Sequence, residues 1–172
     1  MNRLSASIEP IFVRAGWRSG RRVAVSHKIS KDHPASALIS EFGGLKVGNC
    51  GPGVECAAGD VWFSSTQPAY DPPDEIQELT KLLQTELIYF AAAHNAHEQL
   101  YIDRQGRIFA IAEVTSGASL AGWDFKEAMG KLLLGRRLTP IKLPSQNEVM
   151  SYGDRLFPGD PRIMNLEALR TF

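Results

Sequence analysis

The chain has 172 residues, 44% hydrophobic and 22% charged, with 19 Lys+Arg balanced by 19 Asp+Glu. This composition excludes a mainly disordered chain, which needs low hydrophobicity and high net charge, and it lacks the basic surplus of a typical nucleic-acid binder. The length suits one domain, or one domain with an appendage, able to bury a core without disulfide staples.

Leu4, Ile8, Ile11, Phe12 and Ala15 recur at helical spacing. Pro10 is tolerated only in a first turn, so the helix is predicted to begin near Ser7 and to stop at Gly16. Val23 and Val25 belong to an extended segment. A second helix has Asp32 or His33 as its cap and Pro34 in the first helical position. Ala37, Leu38 and Phe42 form its apolar stripe, and Gly43-Gly44 ends it. Leu45 and Val47 alternate with Lys46 and Gly48 as in a strand. Val54 to Ala58 and Val61 to Ser64 predict two more strands, joined by a turn at Gly59-Asp60.

Residues 66–73 read as a Pro-rich loop. A third helix follows, with Ile76, Leu79, Leu82 and Leu83 on one side. Asp74 and Glu75 occupy its first turn, where the helix dipole favours negative charge. Leu87 to Ala92 suits a buried strand. Leu100 to Asp103 and Arg107 to Ile111 flank Arg104-Gln105-Gly106 and predict a hairpin with Gly106 at positive φ. A last helix runs from about Asp124 to Leu134, with Phe125, Ala128, Met129, Leu132 and Leu133 inward and Gly135 at its end. Beyond it Pro140, Pro144, Pro158 and Pro161 break the chain into short pieces, with a hint of helix at Leu166 to Leu169.

Helices and strands do not alternate regularly. The expected class is therefore α+β, a mostly antiparallel sheet flanked by helices. The domain is expected over residues 1–138 and a C-terminal extension over 139–172. Phe42, Leu45, Leu100, Ile102, Ile108, Phe109 and Leu132 are the expected core.

Charge is uneven along the chain. Residues 1–31 are basic, 71–86 acidic and 126–142 basic again. No secretory leader is expected at the start of the chain, and its longest apolar run, Leu87 to Ala93, is too short to cross a bilayer. The expectation is a soluble, cytoplasmic protein that contacts no membrane and keeps Cys50 and Cys56 reduced.

No phosphate-cradling, dinucleotide or nucleophile-elbow motif is present. His94, His97 and Glu98 form the one metal-like cluster, to which Cys50 or Cys56 would have to add a ligand. A thiol enzyme built on either cysteine with His94 or His97 is a competing reading. Neither spacing is that of a known site, so the expectation is no catalytic residue, no cofactor and no metal. Trp62 and Phe63 point to opposite faces of a strand, so one is core and the other is free to anchor a partner. With Trp62, the residues Tyr70, Asp71, Asp74, Glu75 and Glu78 make an acidic, aromatic contact surface suited to a basic partner. The plainer alternative is that Asp74 and Glu75 serve the helix dipole and Trp62 is core.

Several blocks bear comparison with a known family. Ala15 to Val23 resembles the AGW-x-x-GR-x-V opening of the third SUKH group. His33-Pro34-Ala35 and Glu41-Phe42-Gly43-Gly44-Leu45-Lys46-Val47 resemble its next helix and the EFGGL that ends it. Leu100 to Phe109 is similar to its hairpin, and Leu132 to Arg136 to its closing helix. The blocks come in the family's order and span Ala15 to Arg137. Tyr89-Phe90-Ala91-Ala92 stands where the family has Pro-Ile-Gly. The resemblance implies a SUKH fold, no catalytic activity, and a bacterial immunity protein that binds and blocks a polymorphic or contact-dependent toxin. A nuclease and a deaminase are the candidate toxin activities, and no direct nucleic-acid contact is implied. An adaptor or regulatory module on the same fold is the alternative.

Overall fold

The computed structural model describes residues 3–68, 71–115 and 117–170. Strands β1 (Lys46–Val47), β2 (Val61–Phe63), β3 (Ile88–Ala93), β4 (Glu98–Ile102), β5 (Ile108–Ala112), β6 (Gly117–Gly122) and β7 (Thr139–Ile141) form one antiparallel sheet in chain order. Helices α1 (Glu9–Arg14), α2 (Pro34–Phe42), α3 (Asp74–Leu83), α4 (Phe125–Leu134) and α5 (Leu166–Arg170) surround it. A separate hairpin pairs β8 (Val149–Ser151) with β9 (Asp154–Leu156). The α+β expectation holds.

Each face of the sheet carries its own core. On one face Val61, Phe63, Phe90, Leu100, Ile102 and Ile108 meet Phe12 of α1, Leu38 and Phe42 of α2, and Phe125 and Leu132 of α4. On the other, Tyr101, Phe109, Ile111 and Leu120 meet Ile76 and Leu79 of α3, together with Ile141, Leu143 and Leu169. All seven expected core residues are buried.

Local signals explain the helix ends. His33 Nδ1 accepts a bond from the Ala35 N–H, so His33, not Asp32, caps α2. Asp124 caps α4 by accepting from the Glu127 N–H at 2.8 Å. Gly135 ends α4 with φ +65°. Gly106 has φ +89° in the β4–β5 turn, as the hairpin required.

Helix α1 begins at Glu9, close to the expected Ser7, with Pro10 in its first turn. Three expectations are corrected. In α2 Ala37 is exposed, and the buried stripe is Ala35, Leu38, Ile39 and Phe42. Residues 54–58 are not a strand. The Val54 N–H donates to the Leu134 carbonyl, and the Glu55 and Cys56 N–H groups donate to that of Gly135. Their amides thus satisfy carbonyls that the end of α4 leaves unpaired. That close approach needs two glycines, since a Cβ on Gly53 or Gly135 would lie 2.6 Å from the other's Cα. Finally, residues 59–60 do not link two strands. Asp60 is a buried side chain that organises the end of the sheet.

Two strands had no clear sequence signal. Gly-Ala-Ser-Leu-Ala-Gly is a poor strand sequence by propensity, yet β6 pairs with both β5 and β7. β7 contains Pro140, whose carbonyl accepts from the Met164 N–H at 2.8 Å. The register of β3 on β4 shifts between Tyr89 and Ala91, a bulge where the Pro-Ile-Gly pattern is missing.

Candidate functional site

The contact residues read from sequence divide into a strand position and a helix start. Trp62, Ala92, Gln99 and Ile111 lie side by side across β2 to β5. Ile111 packs in the cluster that α3 covers, so Trp62 shares the α3 face of the sheet. Trp62 is 39% exposed, whereas its neighbour Phe63 is buried. Trp62 is therefore not core, although its indole is held. Its Nε1–H donates to Asp60 Oδ2 at 2.6 Å, and Lys46 Nζ sits 4.2 Å from its ring centroid.

Asp71 and Asp74 are exposed and Glu75 is half-buried. Asp74 Oδ1 accepts from Gln77 at 3.4 Å. Glu78 is committed to the chain itself, accepting from the Ser145 N–H at 2.9 Å and from its hydroxyl at 2.5 Å. Glu78 also shares a groove with Lys81 and Arg170, so charge there is mixed. The acidic character is concentrated at Asp71, Asp74 and Glu75. Tyr70 lies outside the described residues.

The metal reading is not supported among the described residues, where no group of three or more His, Cys, Asp or Glu side chains could hold an ion. The thiol reading fares no better. Burial pushes the Cys56 thiol up, with the nearby Glu55 and Glu98 charges adding to that effect, which is the opposite of nucleophile activation. Cys50 instead donates to Asp60 Oδ1 at 3.5 Å and accepts from Asn95 at 3.3 Å.

Asp60 is the residue that sequence reasoning missed. It is 2% exposed and accepts from the Asn95 N–H at 2.7 Å as well as from Trp62 and Cys50. Lys46 Nζ lies 3.6 Å from it. Its backbone carbonyl takes the His94 N–H. These bonds stabilise a turn in which His94, Asn95 and Ala96 all have positive φ, a conformation costing roughly 1–2 kcal/mol per residue. Burial works to raise the Asp60 pKa, but the bonds from Asn95, Trp62 and Cys50 and the Lys46 charge outweigh it, so the carboxyl sits below its ordinary value. A depressed carboxylate stabilises the fold above its unfolded pKa, near 3.9, and loses that contribution as pH falls through the folded value. Asp60→Ala is expected to cost about 1–3 kcal/mol at pH 7. The gap to the unsubstituted protein should narrow in denaturation curves below about pH 4. A gap that stays constant with pH would count against this role.

The blocks compared above turn out to be joined to one another. Trp17 Nε1–H donates to Glu41 Oε1 at 3.1 Å, and Arg21 donates to the carbonyls of Glu41 and Gly43, both at 2.8 Å. The Val23 N–H donates to the Ser40 carbonyl. In the hairpin block, Asp103 pairs with Arg107, both buried. The family model described as SUKH-3 immunity protein matches residues 4–135. The chain belongs to this family. No curated protein and no solved structure matches it. The SUKH-3 match ends at Gly135, so β7, the β8–β9 hairpin and α5 lie beyond it. The SUKH-3 blocks fix the scaffold, and none of Trp62, Asp71, Asp74 or Glu75 belongs to them. Among the described residues no helix is long and apolar enough to cross a membrane.

Proposed function

We propose that this protein protects a bacterial cell by binding a polymorphic or contact-dependent toxin domain directly and blocking it, without catalysis. The observation that carries this reading is membership of an immunity protein family over residues 4–135. The same reading places the protein in the cytoplasm, where an incoming toxin would be met. Candidate toxins are nucleases and deaminases, whose basic clefts complement an acidic surface.

The docking surface proposed is the α3 face, with Asp71, Asp74 and Glu75 as its charged part and Trp62, with Tyr70, as its aromatic part. An exposed tryptophan held rigid by two polar partners loses little entropy on binding. Glu78 contributes through Ser145 to the shape of this face. The test is co-expression with the toxin domain encoded beside this gene, followed by binding kinetics. The unsubstituted protein should restore growth and form a one-to-one complex. Asp74→Lys with Glu75→Lys leaves the Glu78–Ser145 contact in place and should slow association roughly tenfold at low salt, with the difference shrinking at high salt. Unchanged association under both conditions would remove the α3 face as the docking surface. Absence of both binding and protection would remove the neutralising role itself.

A further inference from the structure

On the face of the sheet opposite α3, at the end marked by the His94 turn, lies a cavity of about 540 Å³. Glu98 of β4, the C-terminal half of α4, the 51–58 loop and the tip of the β8–β9 hairpin line it. Its apolar wall is Ala57, Ala112, Leu132, Leu138 and Met150. The hairpin is fixed in place: the Tyr152 hydroxyl accepts from the Leu138 N–H at 2.7 Å, and Arg137 lies 5.2 Å from the ring centroid. Burial lifts Tyr152 to about 12, so it remains a neutral phenol.

Glu98 is the unusual member. Its Oε2 is buried and has no hydrogen-bond partner. Burial pushes its carboxyl up, and His94 opposes this only in part. The cations lining the cavity do not meet this need. Lys131 Nζ is held by Glu127 at 2.7 Å, and Arg136 is an exposed residue. A half-buried carboxyl with one oxygen buried and lacking a donor is a standing cost that a positive charge beside it in the cavity would relieve. The apolar wall suits the methylene stem of such a group.

We infer that this cavity binds an alkyl cation, a guanidinium or ammonium group on an apolar stem, with Glu98 as its counter-ion. The β8–β9 hairpin, outside the family match, supplies Met150 and Tyr152 to it, so ligand choice is set partly by sequence particular to this chain. The inference does not rest on the neutralising role. Its ligand is either a free small cation or a basic side chain of a partner protein.

The full chain would be titrated with n-butylguanidinium and with neutral N-butylurea, followed by amide chemical shifts. Saturable shifts at Glu98, Ala112 and Met150 are expected for the cation, with affinity about tenfold or more above that of the urea. Glu98→Gln should abolish that preference. Ser119→Leu, which narrows the cavity and keeps the carboxylate, should weaken binding of both probes, with melting curves of both variants establishing that they are folded. Equal binding of the two probes, a preference that survives Glu98→Gln, or no saturable shift in the folded protein would overturn the inference. Adding the neighbouring toxin domain then separates the sources. Displacement of n-butylguanidinium supports a partner side chain, and simultaneous binding supports a free cation. Failed protection by the unsubstituted protein would sink the neutralising role and leave the cavity result intact.

Discussion

Arg107→Ala is expected to destabilise the protein by about 3–5 kcal/mol, the scale for orphaning one member of a buried ion pair. The two side chains are 3% and 0% exposed. Asp103 Oδ1 accepts from the N–H groups of Gln105 at 3.0 Å and Arg107 at 2.9 Å. Its Oδ2 accepts from Arg107 Nε and Nη2, both at 2.6 Å. Arg107 Nη1 donates to the Leu169 carbonyl in α5, so one guanidinium ties the β4–β5 turn to the far end of the chain. Truncation leaves a carboxylate sealed from water and the Leu169 carbonyl without its donor. A small domain is stable by only about 5–15 kcal/mol, so the loss should be plain in urea unfolding. Removing both charges, as Asp103→Asn with Arg107→Met, should cost less than Arg107→Ala alone, because no buried charge is then orphaned. A single variant within about 1 kcal/mol of the unsubstituted protein would refute this account.

Phe42→Ala should cost a similar amount, about 3–5 kcal/mol. Phe42 is wholly buried and sits at the hub of an aromatic cluster. Its ring centroid is 4.9 Å from that of Phe125, 5.2 Å from that of Phe12 and 5.3 Å from that of Phe63. One side chain therefore joins α1, α2, α4 and β2. Its removal opens a cavity between three helices and the sheet, and such a cavity collapses only in part. Phe42→Leu retains most of the volume and should lose less, which a denaturant series on the two variants would show. No difference between them would mean that the site relaxes freely.

The parts of the fold that were legible in sequence have local causes. His33-Pro34 and Asp124 announce helix starts, Gly135 a helix end, and Asp103 to Gly106 a turn, and each is where expected. What was not legible depends on distant neighbours. Val54 to Ala58 has strand-like composition, but the amides of Val54, Glu55 and Cys56 are taken by the end of α4. β6 is a strand because β5 offers it a ladder, and β7 because β6 does, and neither Gly-Ala-Ser nor Thr-Pro-Ile signals this. For the candidate surface, the alternation of Trp62 with Phe63 told correctly that one of the pair is exposed. Helical spacing grouped Glu78 with Asp74 and Glu75, yet Ser145, remote in sequence, claims Glu78. Asp60 carries no motif, and Glu98 stood out only within a metal-like cluster with His94 and His97. Their importance comes from burial, which a lone Asp or Glu in a sequence does not reveal.

The two outer strands of the sheet have a consequence for how anything can join it. One edge, β1, is two residues long and carries Lys46. The other, β7, carries Pro140, which has no N–H to offer, and its carbonyl is already taken by Met164. Short length, a lysine and a proline are the devices that keep a sheet from templating further strands. A partner is therefore not expected to dock by extending this sheet with a strand, as extended peptides do elsewhere. It must recognise side chains, which can change by single substitutions while the ladder beneath stays fixed. The same two blunt edges deprive crowded copies of this chain of a rail on which to polymerise.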